Sequence, residues 1–264
     1  MSAGPTSANV AVAWPAALFD RLGRFVFSYR DYLAPAALVA MLAFTRPQAP
    51  FGSERLDVVL DIVGFLIATA GQVLRMTVIG FAYIQRGGAN KQLSAPKLVC
   101  EGFYAHSRNP MYVGNFLLLV GLSVIYHSVW VYLVVLPILT IGLFAIVKAE
   151  ERYLAGRFGA EYADYCQRVN RFIPNPRGLG ATMSGMRFDW RRVLRKEYGT
   201  TFAWLSAAFF LLAWEDVLRF GWSVAAPDLY RLLLLYAPVP FAYGFVRWLK
   251  KSHRLDSPDY VTPR

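Results

Sequence analysis

The chain has 264 residues, of which 56% are hydrophobic and 17% charged, and its mean hydropathy is +0.35. These values exclude an ordinary water-soluble domain, because several apolar runs approach the roughly 20 residues that cross a bilayer as a helix. The net charge of +11 does not indicate nucleic-acid binding, since Lys and Arg cluster between the apolar runs, as in membrane proteins. We predict an all-α polytopic integral membrane bundle with membrane lipids, and no nucleic acid, as partners.

The first part of the chain predicts an interfacial arm followed by a short span. Residues 1–31 mix arginines with aromatic residues, which is typical of a helix at a membrane surface. An apolar run over residues 32–44 follows and ends before Pro47, because proline interrupts a helix. No basic segment precedes the first apolar stretch, so we expect no cleaved signal peptide.

The second apolar run covers residues 56–84 and carries Arg75 well inside it. Gly64, Gly71 and Gly80 have a spacing that allows another helix to approach closely. Because an arginine in hydrocarbon is costly unless it meets a partner or water, we interpret Arg75 as ion-paired or functional, with a place in the substrate site. The alternative is that its side chain snorkels to the interface.

Two further apolar runs, residues 111–126 and 129–147, are joined only by His127-Ser128. A connection this short predicts a hairpin of antiparallel neighbouring helices. Both ends of the hairpin then open on the side that carries two polar and aromatic stretches, residues 102–114 and 150–174. We expect a cofactor pocket there.

The residues from Arg108 to Tyr112 predict a site for an anion. Proline is tolerated in the first turn of a helix, so the third span is expected to begin at Pro110. Its free N–H groups and positive end would lie beside Arg108 and Tyr112. Glu150 and Glu151 follow at the same end of the hairpin and could hold an ammonium group and ribose hydroxyls. The alternative is that they only pair with nearby cations at a wet interface.

The rest of the chain predicts a returning helix, a linker and two more spans. Residues 148–171 are amphipathic and are expected to fold back over the loop before the hairpin. Residues 177–200, basic and aromatic in their second half, predict an interfacial linker, and the extension 201–264 contains apolar runs at 201–222 and 229–249. With about six spans, the positive-inside rule places both termini and the pocket in the cytoplasm, at the inner (cytoplasmic) membrane.

Several of these motifs, in this order, resemble the isoprenylcysteine carboxyl methyltransferase family, which is similar to the phospholipid N-methyltransferases. The resemblance covers residues 60–176, so we assign residues 32–176 to a membrane methyltransferase core. The matching stretches are Leu74-Arg75, Leu98-Val99, Gly102-Phe103-Tyr104, Arg108 to Gly114, Glu150-Glu151, Phe158-Gly159, Glu161-Tyr162, Tyr165 and Arg171 to Pro174.

The resemblance implies a methyltransferase that uses S-adenosylmethionine. The cofactor contacts that it implies are Pro96, Lys97, Leu98, Val99, Tyr104, Asn109, Pro110, Met111, Tyr112 and Glu150, to which the anion site and the carboxylate pair described above add Arg108 and Glu151. Of these, Arg108, Tyr112 and Glu150 are the expected catalytic residues, and no metal is expected.

Two positions depart from the family pattern. Asn109 stands where the family usually has histidine, and an amide cannot titrate. Ile146 stands where eukaryotic members have an arginine for the acceptor carboxylate. We therefore expect a small or lipophilic acceptor, such as a thiol, an amine or a lipid head group, that reaches Arg75 and Ile146 from the bilayer and carries no free carboxylate.

Two alternative functions compete with methyl transfer. A nicotinamide-dependent, sterol-type membrane reductase would share a similar Arg-x-Pro-x-Tyr-x-Gly turn, but the Glu150-Glu151 pair argues against it. A non-catalytic scaffold or transporter is the other alternative. The intact Tyr104, Tyr112 and Glu150 argue against that one.

Overall fold

A computed structural model describes residues 7–81, 95 and 97–256, with only the backbone described at residues 7–18, 20 and 31. Within these residues the chain forms helices and no strands. The α-helices are α1 (Ser7–Phe44), α2 (Glu54–Phe81), α3 (Pro110–Tyr126), α4 (Leu136–Arg168), α5 (Leu179–Ser184), α6 (Trp190–Phe220), α7 (Trp222–Tyr236) and α8 (Pro238–Lys251). Short 3-10 helices cover Pro50–Gly52 and Gly102–Ala105, and a π-helical turn, Val131–Val135, leads into α4.

The apolar helices agree with the predicted class of fold. Four helical segments are long and apolar enough to cross a membrane: Glu54–Phe81, Val131–Arg168, Trp190–Phe220 and Trp222–Lys251. Two shorter apolar helices cover Tyr32–Phe44 and Pro110–Tyr126. The all-α polytopic membrane bundle is confirmed, with four helices of full spanning length and two shorter ones where six spans were predicted.

Helix α1 joins the predicted interfacial arm and the predicted first span into one helix. Gly23 lies against the backbone of Ala145 and the side chain of Ala149 on α4. These small residues let the two helices approach closely. The helix continues through the predicted boundary at residues 31 and 32, where the sequence has neither proline nor glycine. The second half of the predicted arm therefore packs along a neighbouring helix and does not form a separate surface helix.

Helix α6 crosses the predicted boundary between the linker 177–200 and the extension 201–264. It begins at Trp190 because the side chain of Asp189 accepts a hydrogen bond from Arg192 N at 3.0 Å, which caps the helix. The basic segment and the next apolar run thus form one continuous helix. The predicted domain division and the interfacial location of the linker stay predictions.

Helix α3 packs along α2, and α4 packs along α1. The predicted hairpin of neighbouring helices is confirmed, because His127, in a left-handed conformation (φ +48°), forms a short turn between α3 and α4, and Tyr112 on α3 contacts Glu150 on α4. Each of the two helices nevertheless packs more extensively against another helix. The reason lies in facing glycines: Gly64 meets Gly121, and Gly71 meets Gly114. The predicted close helix approach on this face of α2 is confirmed.

Replacing Gly71 with alanine is expected to lower the free energy of unfolding by about 1–3 kcal/mol. The added Cβ would lie 2.7 Å from the Gly114 carbonyl oxygen, so α2 and α3 would have to separate. Thermal unfolding in detergent measures the effect. The matched control is Gly244→Ala on α8, where a Cβ meets nothing within 4 Å. Unchanged melting temperatures for both variants would contradict the tight α2–α3 contact.

The bundle has two polar ends. The end that contains residues 97–112 and 148–198 is termed the motif end, and the opposite end, which contains residues 45–61, 126–130 and 215–221, is termed the far end. At the far end Tyr126 Oη donates to Thr45 O at 3.0 Å, and Gln48 N donates to His127 O at 3.1 Å. Helices α2, α3 and α6 each reach from one end to the other.

Helix α4 bends at Gly159, whose φ of +50° is disfavoured for residues with a Cβ. Beyond the bend, Tyr162 and Tyr165 pack against Leu98 and Cys100 in the loop before α3. Burial and the nearby Glu161 raise the pKa of the Cys100 thiol, so it stays protonated at neutral pH. The predicted return of the amphipathic segment over this loop is confirmed.

Candidate active site

The start of α3 is held by the segment that follows α4. Arg108 N donates to Asn170 O at 2.9 Å, and Ser107 Oγ donates to Phe172 O at 3.0 Å. His106 is held in the same way, because its carbonyl accepts from Asn175 N at 2.9 Å. Main-chain groups therefore join the two motif stretches, which are about 60 residues apart in sequence.

Glu151 is the centre of the ionic contacts at this junction. Its carboxylate lies 2.9 and 3.0 Å from Arg171 Nε and 3.2 Å from Arg108 Nη1, and it accepts from Asn109 Nδ2 at 3.4 Å. The residue is 9% exposed. Burial lowers the pKa of Arg108, but Glu151 and Cys166 raise it above its ordinary value, so the guanidinium stays charged. Glu151 thus joins α4, the start of α3 and the segment after α4.

Glu150 has a different environment from its neighbour. Tyr112 Oη donates to Glu150 Oε1 at 2.7 Å. Successive residues of an α-helix point about 100° apart, so Glu150 faces α3 while Glu151 faces the loop. The structure separates the two adjacent glutamates into a half-buried carboxylate beside a tyrosine and a buried carboxylate that contacts two arginines.

Arg108 keeps one donor unused. Its Nη1 lies 2.7 Å from Cys166 Sγ as well as near Glu151, but its buried Nε–H has no hydrogen-bond partner among the described residues. An orphaned buried donor costs about 1–3 kcal/mol unless another group accepts from it. This nitrogen lies where the sequence predicted an anion site.

The segment before α3 contains five predicted cofactor contacts. Lys97 is exposed, whereas Leu98 packs against the tyrosines of the returning helix and Val99 is half-buried. Tyr104 is fixed through its carbonyl, which accepts from Tyr165 Oη at 2.7 Å. Pro96 lies outside the described residues.

Three predicted contacts help to build the start of α3. Pro110 occupies its first turn, as predicted, and is buried. The side chain of Met111 packs in a core cluster with Val78 and Phe103. Asn109 is buried and precedes the first turn, but its side chain accepts no hydrogen bond from the N–H groups of that turn. Its side-chain amide instead donates to Glu151 and to Arg171 O.

Arg75 is buried between α2, α3 and α6 and is 4% exposed. Its Nε and Nη2 each donate to one oxygen of Glu197 at 2.8 Å, and Nη1 donates to Asn115. The interpretation that Arg75 is ion-paired is confirmed, and the snorkelling alternative is wrong. Gly114, the last residue of the central motif, makes room for this side chain, because a Cβ there would overlap Arg75 Cγ. The predicted contact of Arg75 with substrate stays a prediction.

Three residues of the motif end were missed as site residues. Arg171 was recognised only as part of a motif, and Asn115 and Glu197 were not singled out at all. Glu197 is fully buried, and its only local signal is an acidic residue within a turn of an apolar run. An acidic residue at such a position does not indicate which basic side chain would pair with it.

Comparison with known proteins agrees with the motif analysis. Residues 59–161 match the family model described as phospholipid methyltransferase. The chain is 27% identical over 177 residues to the cobalt-zinc-cadmium resistance protein CzcN of Cupriavidus metallidurans, covering 64% of this chain and 74% of that protein. No solved structure matches the chain.

Two similar proteins are named protein-S-isoprenylcysteine O-methyltransferase. The protein from Tribolium castaneum is 32% identical over 126 residues, which cover 44% of this chain and 42% of that protein. The protein from Schizosaccharomyces pombe is 31% identical over 118 residues, which cover 42% of this chain and 48% of that protein. The matched region is thus less than half the length of either relative.

The fold is that of a polytopic helical membrane bundle, and its similarity to methyltransferases lies in residues 59–161. Residues 59–161 are therefore similar to phospholipid and isoprenylcysteine methyltransferases, which agrees with the resemblance that the motifs predicted.

Proposed function

We propose that the protein is an S-adenosylmethionine-dependent membrane methyltransferase whose acceptor is small or lipophilic and enters from the bilayer. The observation that carries this proposal is the position of the Glu150 carboxylate beside Tyr112, in the first turn of α3, at the same end of the bundle as the buried Arg108 Nε–H, which has no hydrogen-bond partner among the described residues. The pocket and both termini are proposed to face the cytoplasm at the inner membrane, because basic residues concentrate at this end.

The residues fit the charged groups of the cofactor. The methionine part of S-adenosylmethionine carries an ammonium and a carboxylate. Glu150 offers a carboxylate for the ammonium or for ribose hydroxyls, and a charge-assisted hydrogen bond of this kind is stronger than a neutral one. Arg108 Nε and the positive end of α3 offer a place for the carboxylate. Both ends of the amino acid would thus meet a group of opposite charge.

When bound, the cofactor would supply a methyl group on a sulfonium, which an acceptor displaces in line. The chain's own contribution is positioning and the exclusion of water. Tyr112 fixes the orientation of Glu150, and Glu151 fixes Arg108. The part of α4 after Gly159 covers the loop that contains Leu98 and shields this end from solvent.

The surroundings of Ile146 support an acceptor without a free carboxylate. Ile146 is 4% exposed and lies one helical turn before Glu150 on α4. Burying an unpaired carboxylate beside an isoleucine would be costly. We propose that a thiol, an amine or a lipid head group occupies this side. Arg75 is proposed to shape it from α2 through its contact with Asn115 on α3.

Detergent-solubilised protein is expected to bind S-adenosylmethionine and its demethylated product S-adenosylhomocysteine. At about 100 times the Kd, either compound should stabilise the folded protein by about 2.7 kcal/mol and raise its melting temperature. Differential scanning fluorimetry measures this shift, with NADPH as the comparison compound. A shift with NADPH and none with the other two would contradict the proposal and favour the reductase, which the methyltransferase matches do not favour.

A further inference from the structure

A second polar cluster lies at the far end and has no part in the proposed function. It contains Asp57 and Asp61 on α2, His127 at the α3–α4 turn, and Glu215 and Arg219 on α6. Asp57 precedes Arg75 by 18 residues, so about 27 Å of helix separates this cluster from the motif end. Any property of the cluster is therefore separate from the site around Glu150.

His127 is the centre of this cluster and is 3% exposed. Its Nδ1 lies 3.0 Å from Asp57 Oδ1 and 3.9 Å from Glu215 Oε1, and its Nε2 lies 3.8 Å from Asp61 Oδ1. Among the described residues, neither ring nitrogen has a hydrogen-bond partner of acceptable geometry, and the same is true of these two aspartate oxygens. The buried imidazole is thus surrounded by carboxylate oxygens to which it makes no hydrogen bond of acceptable geometry.

The charges in the cluster do not balance. Arg219 pairs with Asp57 through Oδ2 and with Glu215 at 3.0 Å, whereas Asp61 has no cation of its own among the described residues. Three carboxylates and one guanidinium leave the cluster with more acidic than basic side chains at a largely buried site. A bound cation would offset this surplus of carboxylates.

We propose that Asp57, His127 and Glu215 bind one divalent transition-metal ion of the Zn²⁺ type. One ligand atom from each residue lies within 4.8 Å of the others. Zn²⁺ binds imidazole and carboxylate at about 2.0–2.2 Å, which for a tetrahedral site places ligand atoms about 3.3 Å apart, so a small contraction of the cluster suffices. Asp57 can offer Oδ1 to the ion while Oδ2 keeps Arg219.

Asp61 completes the arrangement as a positioning residue. A histidine that binds a metal through one ring nitrogen usually donates from the other to a carboxylate, which fixes the ring and its tautomer. Here Nδ1 faces the two ligand carboxylates, and Nε2 faces Asp61. The ion would join α2, the α3–α4 turn and α6, and it would hold together the end of the bundle opposite the proposed pocket.

The test uses metal-stripped full-length protein in detergent, titrated calorimetrically with Zn²⁺ alone. We expect one ion per chain and a higher melting temperature. His127→Gln is expected to lose this binding, and Asp61→Asn to weaken it 10- to 100-fold while one ion still binds. The matched control is His253→Gln, since His253 is exposed and pairs with Asp256 near the opposite end. That variant should bind Zn²⁺ like the wild type.

Three results would overturn the proposal. They are no stoichiometric Zn²⁺ binding, equal binding by His127→Gln, and a melting temperature that responds to acidification but not to Zn²⁺, which indicates a protonated imidazole among the carboxylates. If His127→Gln does not fold, X-ray absorption of the Zn²⁺-loaded wild type decides. One imidazole with oxygen ligands supports the site, and sulfur ligands contradict it. Because these readouts do not involve methyl transfer, their outcome is separate from that of the proposed function.

Discussion

Replacing Glu197 with alanine is expected to lower the free energy of unfolding by about 3–5 kcal/mol, the largest loss that we predict for a single residue. The change leaves Arg75 charged and buried, with two of its nitrogens deprived of their partner. Gln72 also loses the carboxylate to which it donates at 3.2 Å. Thermal and chemical unfolding of the detergent-solubilised variant beside the wild type measures the effect.

Two controls separate this effect from a general one. Asp164→Ala removes an exposed ion pair with Arg168 and should cost less than about 1 kcal/mol. The double variant Arg75→Met/Glu197→Leu removes both buried charges and should recover most of the stability, since apolar replacement of a buried pair is often neutral or stabilising. Equal losses for Glu197→Ala and Asp164→Ala, or no recovery in the double variant, would show that the buried pair does not hold α2 to α6.

The second large effect is expected at Glu150. Glu150→Ala should reduce the affinity for S-adenosylmethionine by about one to two orders of magnitude, because a hydrogen bond to a charged group contributes about 1.5–3 kcal/mol. The melting temperature of the cofactor-free protein should change less than in Glu151→Ala, since the Glu150 carboxylate is half-buried, whereas that of Glu151 is buried and contacts two arginines. Calorimetric titration gives the affinity.

Glu151→Ala is the matched variant and should behave in the opposite way. Without its carboxylate, Arg108 and Arg171 lose a common partner, so the cofactor-free protein should melt at a lower temperature. The affinity for the cofactor should fall less than in Glu150→Ala, measured below the melting temperature. Near-normal affinities for both variants would show that the two glutamates form only a charge cluster at the interface.

The helices and the motif end could largely be predicted from local pattern. Long apolar runs indicate spans because each backbone N–H and C=O must be satisfied inside a bilayer, and Pro110 marks a helix start because its ring fits only the first turn. The spacing of Gly64 and Gly71 predicted a close contact, and the amphipathic segment after Lys148 predicted a return to the loop. In each case the signal lies within one segment.

The contacts between segments that are distant in sequence could not be predicted. Arg75 was recognised as needing a partner, but any acidic residue near an apolar run could have met it, and Glu197 is 122 residues away. His127 was interpreted only as a turn residue, since its carboxylate neighbours come from α2 and α6. The more extensive packing of α3 against α2 could not be predicted for the same reason, because the length of the loop between α3 and α4 does not show which helix offers facing glycines.

The distance in sequence between Arg75 and Glu197 has a consequence for biosynthesis. A ribosome adds about 5–20 residues per second, so the 122 residues that follow Arg75, up to and including Glu197, take about 6–24 seconds to make. During that interval α2 exists without its counter-charge, and an arginine at the centre of a helix costs about 2.5–3.5 kcal/mol on membrane insertion. The remaining apolar residues of α2 must outweigh this cost, or the helix must wait at the translocon. A nascent chain that stops before α6 is therefore expected to be recognised by quality-control proteases as incompletely folded.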